Sequence, residues 1–215
     1  MNLIRIILAI LVVSIIPLSL LCNPEMFWEL GPVENGDLVV LLLGMFTCIY
    51  WYKYDGVGSY FRPVWKVGGL LFFLAAACEV SWGRIFMING INEEGPIIPS
   101  MKSLWFGNYI YSAVGVLIVI LLYMMYKYRH EIGDLVYRLV RSKESMLYFG
   151  LFFILLSSAT VIWDPNRIAS LSQWHQAFEE MSKLTAYFAT YALAWKAHLL
   201  SQETVIQDTT SNMKK

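Results

Sequence analysis

Six stretches of this chain are long and apolar enough to suit a bilayer better than water. A hydrocarbon core of about 30 Å asks for about 20 mostly apolar residues in a helix. The candidates are residues 3–21, 38–54, 67–88, 109–126, 146–163 and 176–200. Of the 215 residues, 58% are hydrophobic and 15% charged, where soluble domains carry about 25% charged residues. The sequence thus predicts an all-α, polytopic transmembrane helix bundle of about six spans joined by short loops. Residues 1–200 are expected to form one membrane domain and 201–215 a polar cytoplasmic tail. Four or five spans, with the first or last segment placed elsewhere, is the alternative.

Charge asymmetry orients the bundle. Arg5 lies near the start of the first segment, and Lys53, Arg62 and Lys66 fall in the second loop. Lys127, Arg129, Arg138, Arg141 and Lys143 fall in the fourth loop, and Lys214 and Lys215 end the chain. The alternate loops hold Lys102 and Arg167 among Glu25, Glu29, Glu34, Asp37, Glu93 and Glu94. Positive residues stay on the cytoplasmic side, so both termini are expected inside. The first segment reads as a retained anchor. Its apolar run is too long for a signal peptide's core, and "LSLLCNPE" has no A-x-A cleavage site and no small residue before Cys22.

The fourth loop, "KYRHEIGDLVYRLVRSKES", places Ile132, Leu135, Val136 and Leu139 at i, i+3, i+4 and i+7. With Lys127, Arg129, Arg138, Arg141 and Lys143 around them, this is an amphipathic helix suited to an anionic leaflet or a cytoplasmic partner. A continuation of the fourth span is the other reading. In the third loop, Asn89-Gly90 and Gly95-Pro96 are turn signals.

The unusual chemistry gathers elsewhere. In "CEVSWGRIF" (78–86) a carboxylate and a guanidinium follow the apolar "VGGLLFFLAAA". If the third helix runs to residue 88, Glu79 lies roughly 13 Å below its outer end and Arg84 about 6 Å below it. Glu79, Trp82 and Gly83 would share one face, with Arg84 about 140° away, so Glu79 and Arg84 should find partners on other helices. The antiparallel last span brings Glu179, Glu180 and Lys183 to the same level, and Asp164 ends the fifth. Intramembrane charges cost about 2.5–3.5 kcal/mol each unless paired or hydrated. Two arrangements follow: a salt-bridge cluster (Arg84 with Glu179 or Glu180, Lys183 with Glu79), or a polar pocket open to the outer face. Small residues Ser182, Ala186, Ala189, Thr190 and Ala194 suit close packing of the last helix.

Much chemistry is missing from the sequence. His130, His175 and His198 fall in three different places, and no Ser-His-Asp set or phosphate-binding glycine loop is present. No cofactor or metal is expected. Cys22, Cys48 and Cys78 read as buried free thiols. Zero net charge gives no case for nucleic acid.

The motif "E-x-SWG-x-IF" at 79–86 resembles the "EEISWGQRIF" signature of a set of uncharacterised bacterial multi-pass membrane proteins. Those proteins also carry a Glu-Glu pair entering a small-residue helix, similar to "FEEMSKLTAYFA" here. Glu79, Ser81, Trp82, Gly83, Glu179 and Glu180 match. Val80 stands where Ile is usual, Cys78 replaces the first Glu, and Arg84 directly follows Gly83. In size and multi-span character alone the chain is similar to small membrane subunits of anti-phage defence operons, such as the Kiwa system's, for which four spans are expected. That similarity implies a non-catalytic, homo-oligomeric sensor of envelope perturbation that signals to a cytoplasmic effector through the basic fourth loop. The alternative is a membrane enzyme or carrier acting on a lipid head group or lipid-linked substrate through Glu79 and Glu180.

Overall fold

Seven α-helices make up most of the backbone among the described residues. The structure, a computed structural model, describes residues 2–28, 31–54, 60–92, 95–159 and 174–212. The helices are α1 (Asn2–Leu21), α2 (Pro32–Tyr54), α3 (Arg62–Glu79), α4 (Gly107–Lys127), α5 (Arg129–Arg141), α6 (Lys143–Ser157) and α7 (His175–Asn212). The protein is an all-α bundle, and three of its helices are long and apolar enough to cross a membrane: α1, α4, and the stretch Glu25–Tyr54 that contains α2. The other three predicted spans differ for physical reasons. α3 carries Arg62, Lys66 and Glu79 within 18 residues. α6 has 15 helical residues before the described segment closes. α7 bears Glu179, Glu180, Lys183 and Lys196.

α2 and α3 form the closest pair. Glycine makes this approach possible: a Cβ at Gly44 would sit 2.5 Å from the Phe72 ring, and one at Gly68 would lie 3.2 Å from Cys48 Sγ. α7 is the central strut, packing against α6, α1, α2 and α5. Ser182, Thr185, Ala186, Ala189 and Ala192 are its most buried positions, so small side chains do let neighbouring helices close upon it. Thr190 and Ala194 are only half-buried. The helix continues through Asn212 rather than stopping near residue 200.

α4 stands apart. Only Gly107 is buried along its length, and most of its side chains from Tyr109 to Tyr126 are exposed, with Ile110, Val114, Leu117, Leu121 and Met124 half-buried. The backbone breaks at Tyr128 (φ −104°, ψ 26°) and α5 starts afresh, so the basic loop is a separate amphipathic helix. Its Leu135 and Leu139 are buried against the bundle.

Two expectations about the third predicted span are overturned. The α-helix ends at Glu79, not near residue 88, and a 3₁₀ stretch (Ser81–Phe86) follows. Ser81 (φ 47°), Trp82 (φ 56°) and Gly83 (φ 86°) occupy the left-handed region, so Glu79, Trp82 and Gly83 share no helix face. Beyond the turn, β1 (Ile91–Asn92) pairs antiparallel with β2 (Gly95–Pro96). Asn89-Gly90 and Gly95-Pro96 therefore belong to the paired arms of a hairpin, where Asn89 N–H donates to Ile97 O and Ile97 N–H to Gly90 O. The cysteines are free, but only Cys48 is buried; Cys78 is exposed and Cys22 half-buried.

Candidate functional site

The charged residues near the start of α7 lie along one stripe. Spacings of three and four put Gln176, Glu179, Glu180, Lys183 and Tyr187 on neighbouring turns. Lys183 Nζ lies 2.8 Å from Glu179 Oε1 and 2.8 Å from Glu180 Oε1. One ammonium thus bridges two carboxylates of its own helix. The expected Lys183–Glu79 pair does not form, because Glu79 accepts from the Tyr187 hydroxyl one turn further along.

Arg84 departs from expectation as well. Its Nε donates to Ser81 O and its Nη1 to Pro99 O, each at 3.1 Å, in place of the expected pair with Glu179 or Glu180. The guanidinium pins the left-handed turn to the segment after the hairpin. Two non-glycine residues at positive φ cost about 1–3 kcal/mol each; here they turn the chain so that Arg84 comes to overhang α7. Trp82 is half-buried on that turn and lines no part of the cleft described next. Asp164 lies outside the described residues.

Between the turn, the hairpin arm and α7 opens a polar cleft of about 530 Å³, walled by Arg84, Ile97, His175, Glu179, Glu180 and Lys183. This is within the usual size of small-molecule sites, about 300–1,000 Å³. A recess of about 10 Å³ lies among Glu34, Leu38, Glu79 and Ile85, near the room one water needs. Between α2 and α7 sits Asp37. Its exposure is 0% and neither carboxylate oxygen has a hydrogen-bond partner among the described residues. Asp37 opens the second span in the sequence, where nothing distinguishes it from a helix-end acid; only the packing of α2 against α7 encloses it.

A second polar centre lies farther along α7, at Lys196, and was not foreseen. Glu144, at the start of α6, is 2.5 Å from Arg5 Nε and 3.1 Å from Lys196 Nζ, and accepts from Tyr148 Oη at 2.7 Å. The hydrogen bond from Arg5, with those of Tyr148 and Lys196, outweighs burial and holds its carboxyl down at about 2. This anchor ties α1, α6 and α7 together. Lys196, a cation within the apolar run "YALAWKAHLL", was the available signal. Beside it, the His198 ring stacks on Trp51 at 4.1 Å, with Trp65 edge-on at 5.5 Å.

The basic positions of the fourth loop occupy the α4–α5–α6 corners. Lys127 lies over Tyr128, Arg129 over Tyr126, Arg138 over Phe61 and Arg141 over Tyr137, at 4.6–5.8 Å from the ring centres. Lys143 opens α6. Among the described residues no group of three or more His, Cys, Asp or Glu is placed to hold a metal ion. Comparison with protein-family models, curated proteins and solved structures gave no match.

Proposed function

We propose that the protein is a non-catalytic sensor subunit of a bacterial inner membrane, crossing it about six times with both termini inside. It reads a change at its outer face and passes that change along α7 to a cytoplasmic partner. The observation that carries this reading is Asp37, fully enclosed without a donor in the layer that also holds Glu79–Tyr187 and Glu179–Lys183–Glu180. A buried ionised carboxylate without a partner is costly, while the ammonium that could serve it is held by two glutamates. Such a layer has a second arrangement within reach, and a cation, proton or lipid head group entering the cleft would shift the balance toward it. α7 then transmits the shift: Lys183 and Lys196 are 13 residues apart on one helix, about 20 Å at 1.5 Å per residue.

The enzyme or carrier reading needs Glu79 and Glu180 both directed at substrate. Glu79 is engaged by Tyr187 and does not wall the cleft, which favours the sensor.

Cysteine reactivity tests the proposal. Ser201 is buried on α7, 18 residues beyond Lys183. In a variant lacking the native cysteines and carrying Ser201→Cys, reconstituted in nanodiscs, Lys183→Met should raise maleimide labelling at least fivefold, and Asp37→Asn should reverse the rise. Unchanged labelling in a folded Lys183→Met protein would sink the transmission idea.

A further inference from the structure

A cavity on the other side of the carboxylate layer has a different character. Its volume is about 490 Å³ and its walls are almost wholly apolar, formed by α2, α3, α6 and α7 with α5 closing one end. Trp65, Leu71, Ala75, Leu135, Leu139 and Ala194 define its outline. The few polar side chains on its wall are engaged elsewhere: Tyr187 by Glu79 and Thr190 by the carbonyl of Ala186. One polar group is not. The indole N–H of Trp65, 3% exposed, has no acceptor among the described residues.

Three observations say what fits. Along α3 the lining runs from Val64 to Ala75, 11 residues or about 16 Å, close to the roughly 15 Å depth of one leaflet's hydrocarbon. At the α5 end basic residues predominate: Arg62, Lys66, Lys127, Arg129, Arg138, Arg141 and Lys143 against Glu131, Asp134, Glu144 and Glu203 among the described residues. Trp65 lines the cavity at that same end, one turn into α3, where an indole suits the boundary between acyl chains and head groups.

We propose that this cavity is a binding site for one acyl chain of an anionic phospholipid drawn from the leaflet on the α5 side. The chain lies along α3 between Trp65 and Ala75, and the head group meets the basic surface of α5. The amphipathic helix is then a lid over a held lipid as well as a float on the leaflet. This site is separate from the outer cleft and stands whether or not the sensor reading holds.

Native mass spectrometry of detergent-purified protein titrated with phosphatidylglycerol or phosphatidylcholine tests this. The wild type should retain about one phosphatidylglycerol per chain. Ala194→Phe, which fills the cavity, should weaken that retention at least tenfold, whereas Val119→Phe on exposed α4 should not. Equal retention of both lipids, no retained lipid, or full retention by Ala194→Phe would each overturn the proposal. A readout that does not depend on Ala194→Phe folding comes from phosphatidylglycerol brominated in mid-chain. It should quench a fluorescence component that disappears in Trp65→Phe, and absence of that component counts against the site.

Discussion

Lys183 holds two carboxylates in a part of the chain where unpaired charge is expensive, so its loss should be felt at once. Lys183→Met leaves Glu179 and Glu180 facing each other without a cation and should lower stability by about 2 kcal/mol, read as a drop in thermal midpoint in detergent. This pair of bonds was open to sequence reasoning because it lies within one helix, where spacing of three and four fixes proximity. Glu79–Tyr187 spans 108 positions and Arg5–Glu144 spans 139, and no local rule reaches that far. Glu144 also gives a pH dependence. Its folded value is depressed to about 2 from an ordinary 4.5, so its stabilising contribution is present above about 4.5 and fades as pH falls toward 2. Amide protection factors at the α1–α6–α7 junction should fall over that interval, and Glu144→Gln should remove the acid step while weakening the junction at neutral pH.

The elements divide into those whose limits follow from pattern and those fixed by a few special dihedrals. α1, α2 and α4 are sustained apolar runs, and the amphipathic spacing of Ile132, Leu135, Val136 and Leu139 found α5. The end of α3 escaped because hydrophobic residues continue past Glu79, and because Trp82, a bulky residue, takes a conformation that favours glycine. At Gly83 a Cβ would meet nothing within 4 Å, and its φ of 86° is the reason for the residue. Gly83→Ala should therefore cost about 1–2 kcal/mol by backbone strain alone, visible as a modest fall in thermal midpoint. Gly44→Ala acts through the opposite cause, collision with Phe72, and should cost about 1–3 kcal/mol while parting α2 from α3.

For the whole molecule, orientation is the consequential property. Cysteines introduced at Arg138 and at Lys102 should label from opposite faces, the first from the cytoplasm. Labelling of Arg138→Cys from outside would reverse the assignment. The outer cluster was legible as a concentration of charges at one level, although its internal pairing was not. The anchor around Glu144 and the cavity beneath α5 arise only when distant helices are assembled; Lys196 within an apolar run marks one member of the anchor, and the cavity leaves no mark in any single segment.

The short α3 has a further consequence. Its 18 residues rise about 27 Å, while the 21 of α4 rise about 32 Å. On the proposed six-span topology both helices cross the bilayer, and one membrane cannot match both thicknesses at once. Lipid around the α2–α3 hairpin must thin, or α4 must tilt. Thinning would draw head groups and water down toward the end of α3, where Glu79 stands. Bilayer thickness itself then becomes a quantity to which the carboxylate layer is exposed, and stretching or compressing the membrane would act on that layer without any soluble ligand.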